Sequence, residues 1–170
     1  MKKYFLIVMC LLFTMTYSKE FLTVADVRAE YESIQKSMPL YDKVSVKDNT
    51  STTEGGEAHY YYENKKLKVI VADYLGETGK SHEEVYFGDN YPIFVHKEKH
   101  VYNAPITDKK FNEKRTKVLH ERYYFDSNKN LIRYIDEKGK IVVNGDKLQE
   151  KSIEIKNEIV RLLKLRNTKK

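Results

Sequence analysis

Three segments of the chain repeat one phrase, a polar stretch running into two or three aromatic or apolar residues: Ala58-His59-Tyr60-Tyr61-Tyr62, Glu83-Glu84-Val85-Tyr86-Phe87 and Glu121-Arg122-Tyr123-Tyr124-Phe125. Each is followed by a polar turn, at 63–66, 88–90 and 126–130, and then by an apolar return near Val69, Phe94 or Ile132. Aromatic and β-branched runs separated by short Gly, Asn and Asp turns form antiparallel hairpins, and three of them in succession predict a meander. Their unequal spacing excludes a strict solenoid repeat.

Neighbouring residues on a strand point to opposite faces, so alternation sorts the first strand of each hairpin. Tyr60, Tyr62, Val85, Phe87, Tyr123 and Phe125 fall on one face, which reads as core. Glu57, His59, Tyr61, His82, Glu84, Tyr86, His120, Arg122 and Tyr124 fall on the other, polar at two positions and aromatic at the third. The second face is therefore expected to meet solvent, with Tyr61, Tyr86 and Tyr124 exposed on it.

Two helices flank this region. Val24, Val27, Tyr31, Ile34 and Met38 recur at intervals of three and four, Thr23 and Asp26 have the spacing of a cap, and Pro39 closes the run. Near the other end Leu148, Ser152, Ile155, Ile159, Leu162 and Leu163 predict a helix over about 147–166, opened by Asp146 and Gln149 after Gly145. The expected fold class is α+β: an antiparallel meander of about six to seven strands with an N-terminal and a C-terminal helix packed on one face, the Tyr60/Phe87/Phe125 face.

The chain begins with Lys2 and Lys3, an apolar run from Tyr4 to Met15, and then Thr16, Tyr17 and Ser18 before Lys19. That is the pattern of a secretory signal peptide cut after Ser18. The apolar run is about twelve residues against the roughly twenty that span a bilayer, so no stable membrane insertion is expected after cleavage. The domain assignment is 1–18 signal peptide and 19–170 one α+β domain, and the expected location is the periplasm or the exterior. The chain's one cysteine, Cys10, lies within the signal, so the mature protein would have no disulfide and no thiolate nucleophile. The formal charge of +6 includes Lys2 and Lys3, both signs are interspersed, and there is no concentrated basic stripe. Nucleic-acid binding is not expected.

The phrase "HYYYENKKLKVIVADYLGETGK", with "EEVYF" and "ERYYFDSNKNLIRYID" after it, resembles a family of small exported bacterial proteins over roughly residues 54–135. "YYYENKKLK" also resembles the Y-Y-x-N-G-x-L-K phrase of MORN-type hairpin repeats, with Lys65 where those repeats have glycine. Neither resemblance supplies catalytic residues.

Gly76-Glu77-Thr78-Gly79-Lys80-Ser81 has the ending of a phosphate-binding loop, but Tyr74 stands where the first glycine belongs and a strand pattern follows, so it reads as a hairpin turn. The chain has no nucleophile elbow, no H-E-x-x-H pair, no cysteine ligand set and no dinucleotide turn. Asn49-Thr50-Ser51 matches a glycosylation acceptor, as three-residue patterns often do by chance. No metal site is expected: His59, His82 and His120 share a face, but their strands are roughly 10 Å apart at about 4.8 Å per strand step. No cofactor is implied. The loop over 103–117, with many charges and few apolar residues, has the length of a functional or mobile segment.

These features favour a non-enzymatic binding module whose open sheet face meets an unknown protein or envelope polymer, through Tyr61, Tyr86, Tyr124, His59, Glu84 and Arg122. Tyrosine supplies a stiff contact surface with a polar tip at such sites. The alternative is a hydrolase using face carboxylates such as Glu84 with Glu57 or Asp73, although an open sheet gives little means of driving their pKa values apart.

Overall fold

A computed structural model describes residues 23–168 except 50, 53 and 90. The expected signal peptide, with its cleavage site and Cys10, lies outside the described residues. Helix α1 spans Val24–Ser37 and a 3-10 turn follows at Met38–Leu40. Eight strands come next: β1 Asp42–Asp48, β2 Gly56–Glu63, β3 Lys66–Gly76, β4 Gly79–Phe87, β5 Pro92–Val101, β6 Lys117–Phe125, β7 Leu131–Ile135 and β8 Ile141–Val142. Helix α2 spans Asp146–Leu165. The strands pair antiparallel in chain order, so the sheet is a plain meander. It is longer than expected by the outer strands, short or half-exposed elements with little aromatic content. Among the described residues no helix is long and apolar enough to cross a membrane.

Thr23 caps α1 as its spacing predicts: Thr23 Oγ1 accepts from the Asp26 N–H at 3.2 Å, and the Asp26 carboxylate accepts from the Thr23 N–H at 3.1 Å. At α2 the cap is Gly145 at φ +83°, with Asp146 in the first turn, where a carboxylate complements the helix dipole.

The three hairpins share an irregularity. Just before each turn the register slips by one residue, between Tyr61 and Tyr62, between Tyr86 and Phe87, and between Tyr124 and Phe125. Each slip leaves an extra residue on the return strand, Lys68, Ile93 or Ile132. A bulge turns two neighbouring side chains toward one face and reverses the parity of the rest of that strand relative to the turn. Ile93 and the adjacent Phe94 accordingly share one hydrophobic cluster.

That cluster lies on the face expected to be open. Tyr60, Val85, Phe87, Tyr123 and Phe125 form one core with Ile155, Ile159 and Leu162 of α2. Val69, Val71, Tyr86, Ile93, Phe94 and Tyr124 form a second core with Val27 and Ile34 of α1. The helices therefore cover opposite faces, and α1 does not join α2 on the Tyr60 face. The physical reason is in the return strands, whose Val69, Val71, Ile93 and Phe94 make the second face apolar where it meets α1. Tyr31 packs edge-on against Tyr86 and Phe94, at ring separations of 4.8 and 5.2 Å, and Gln35 donates to the Tyr86 hydroxyl. On the other face the buried Tyr60 hydroxyl donates to the Leu162 carbonyl at 2.7 Å and fixes the last turn of α2.

The loop over 103–117 is tied down. Asn103 accepts from the Asn112 N–H and donates to the Lys110 carbonyl, both at 2.8 Å, Tyr102 stacks edge-on against Phe111, and Ile106 N–H donates to Glu77 O at 2.8 Å. The Gly76 to Gly79 segment is the two-residue turn joining β3 to β4. A Cβ at Gly79 would stand 2.2 Å from the His100 carbonyl oxygen, so this glycine serves the close approach of β5 and not a phosphate.

Candidate functional site

Tyr86 is fully buried and Tyr124 is 5% exposed, so two of the three tyrosines expected at the surface lie beneath α1. Their burial overturns the assignment of that row to solvent. An aromatic ring with a polar tip satisfies the second face equally well under a helix. Tyr61, nearer the β1 edge, is half-buried with Lys43 Nζ 5.6 Å above its ring.

Beyond α1 no described element covers the same face, and there the strand register assembles two polar rows. One runs Ser45, His59, Val71, Glu84, His96, Arg122, and the next runs Glu57, Asp73, His82, Glu98, His120, across β1 to β6. His100 follows on β5. Every one of the five histidines in the chain is on this face. His59, Glu84 and Arg122 were legible from first-strand alternation, whereas His96, Glu98 and His100 come from a return strand. Their own alternation at 96, 98 and 100 was visible, but the bulge decides their face.

The contacts form a chain. His82 reaches Asp73 through Nδ1 at 2.7 Å and Glu84 through Nε2 at 3.4 Å. Glu84 Oε2 lies 3.5 Å from His96 Nδ1, and His96 Nε2 lies 3.2 Å from His120 Nδ1. Glu98 receives His120 at 3.7 Å and His100 through its other oxygen. At the far edge His59 Nδ1 meets Ser45 Oγ at 2.8 Å. The hydrogen bond His82 donates to Glu84 lifts His82 against the opposing effect of burial, and Asp73 adds to the rise, bringing it to about 9. Burial pushes Glu84 up, but its hydrogen bonds to His82 and His96 outweigh burial and bring it down to about 2. At neutral pH His82 is a cation between two carboxylates.

His96 and His120 have ring planes within 7° and centroids 5.4 Å apart. With nitrogens 3.2 Å apart, those centroids place the two nitrogens nearly on the line between ring centres, so the rings meet edge to edge through one proton. Lone pairs aimed at each other across one hydrogen bond leave no room for a bridging metal, and no group of three metal-ligating side chains occurs among the described residues.

At the α1 margin of these rows lies a groove of about 340 Å³, floored by Phe94 and Tyr124, walled by Val27 and Tyr31, and rimmed by Arg28, Glu32, His96 and Arg122. Carboxylates with opposed shifts also occur, but on the α2 face. Burial raises Glu83 to about 7, while Arg161 outweighs the burial of Glu158 and holds it below the usual range. They line a cavity of about 480 Å³ between α2 and the sheet, with Lys97, Glu121 and Lys151.

No family model, no curated protein and no solved structure matches the chain.

Proposed function

We propose that the protein is an exported, non-enzymatic binding module that offers the uncovered part of the α1 face to a protein or envelope polymer. The observation that carries this reading is the gathering of all five histidines, with Asp73, Glu84 and Glu98, on the part of the sheet that neither helix covers. A row of aligned, hydrogen-bonded side chains on a rigid meander is pre-organised, which lowers the ordering cost of recognition. Export rests on the Lys2 to Ser18 pattern, and the contact residues retained from the sequence reading are His59, Glu84 and Arg122, with Tyr61 at the edge. The hydrolase reading through Glu84 with Glu57 or Asp73 has less support. His82 stands between Glu84 and Asp73 and keeps Glu84 ionised, so that pair lacks the protonated acid such chemistry needs.

The test is capture from envelope extracts by the immobilised mature protein, compared with a His59→Ser, His120→Ser, Arg122→Ser variant. Unchanged unfolding with lost capture supports the reading. Equal capture by both, with the same bound material, removes it.

A further inference from the structure

The groove between α1 and strands β5 and β6 has features that point to the chemistry of a ligand. Its floor is apolar and ring-shaped: Phe94 and Tyr124 lie 4.9 Å apart, almost sealed by α1, with Tyr31 at the side. Its rim carries the guanidiniums of Arg28, from α1, and Arg122, from β6. Neither makes an ion pair or hydrogen bond to another described residue. Arg161, by contrast, is bonded to Asp48, Ser51, Tyr74 and Glu158. A volume of about 340 Å³ is at the small end of ligand pockets and suits one ring with one substituent. Two guanidiniums on the rim of an aromatic floor suit a planar anion attached to that ring.

A third side chain, His96, opens on the groove, and the Glu84 carboxylate, 3.5 Å from its Nδ1, accepts from that nitrogen and holds the ring at the rim.

We propose that this groove binds a carboxylate borne on a six-membered ring, held by Arg28 and Arg122 over Phe94 and Tyr124. The proposal rests on the binding-module reading and gives it a ligand class. The carboxylate can come from an aromatic acid or from an acidic sugar, and two probes separate them: benzoate and glucuronate, with benzamide and glucose as neutral controls.

Titration of isotope-labelled mature protein, followed by NMR, should show saturable shifts of the Arg122 side chain and the Phe94 and Tyr124 rings with at least one acid and with neither neutral analogue. The acid that saturates identifies the source. Arg28→Ala and Arg122→Ala should each weaken binding roughly tenfold, as expected for losing a charge-assisted contact, and Glu32→Gln should strengthen it. The site is overturned if neither acid saturates at pH 6, if the neutral analogues bind as well, or if both arginine variants bind normally. Loss of the site with capture from envelope extracts still dependent on His59, His120 and Arg122 would remove this inference and leave the binding-module reading standing.

Discussion

Arg161 and Asp48, far apart in the chain, are joined by an ion pair of 2.6 Å that ties α2 to the end of β1. The Asp48 side chain is wholly buried, while Arg161 keeps 35% of its side chain in water and reaches Asp48 through a fan that includes Ser51, Tyr74 and Glu158. Tyr74 reaches this fan because Gly56 leaves room for its ring, which a Cβ would approach to 2.4 Å.

Removing the cation would take the balancing guanidinium from a buried carboxylate that also accepts from Ser51, the costly way to break such a pair. Arg161→Met should destabilise the fold by about 3 kcal/mol, toward the lower end for buried pairs because Arg161 is partly hydrated. Adding Asp48→Asn should recover a substantial part of that loss. Urea denaturation of both variants at pH 7 checks this, and a double variant no more stable than the single one would contradict it.

Glu83 ties the stability of the fold to pH. Its side chain is 5% exposed, Lys97 Nζ stands 3.8 Å from one oxygen, and the other oxygen is buried without a hydrogen-bond donor. Burial raises it from 4.5 to about 7, so between those values the folded state holds a proton that the unfolded state has released. Stability from this group is present below 4.5 and is lost as pH rises through about 7. Glu83→Gln should flatten that part of the stability profile and leave the variant more stable than the parent at pH 8.

On the other face, His82 contributes stability that is full below its ordinary 6.5 and lost as pH rises through about 9. Glu84 contributes stability present above 4.5 and lost as pH falls through about 2. Thermal unfolding across pH should therefore show its loss on the alkaline side diminished in His82→Gln and its loss below 4.5 diminished in Glu84→Gln.

The β2–β3 turn carries a local conflict. Asn64 and Lys65 both have positive φ, +48° and +67°, as a tight hairpin of this twist demands. Asparagine tolerates that region and lysine does not. Lys65→Gly should stabilise the protein by about 1 kcal/mol, the cost of left-handed backbone at a residue with a Cβ. Chemical denaturation is the measurement, and a destabilised variant would mean that Lys65 makes a compensating contact.

The mature N-terminus is expected at Lys19, because Thr16 and Ser18 are the small residues that a signal peptidase accepts after the apolar run. Mass spectrometry of protein from the native envelope checks this. An intact Met1 or a lipidated Cys10 would overturn the cleavage after Ser18.

Local periodicity in the sequence determined the three hairpins, both helices, the Thr23 cap and the Tyr60, Phe87 and Phe125 core, because alternation and helical spacing are written into neighbouring residues. It also placed His59, His82, Glu84, His120 and Arg122 on one face. Only the tertiary structure decided what covers that face. An amphipathic stripe such as Val27, Tyr31 and Ile34 states that a helix must bury one side without naming its partner, and a tyrosine such as Tyr86 fits under a helix as readily as in water. The bulges beside Tyr62, Phe87 and Phe125 decided the rest. Counting back from the turn puts Phe94 and His96 on the α2 side; one extra residue in the return strand reverses that parity, seats α1 on Phe94 and brings His96 to His120.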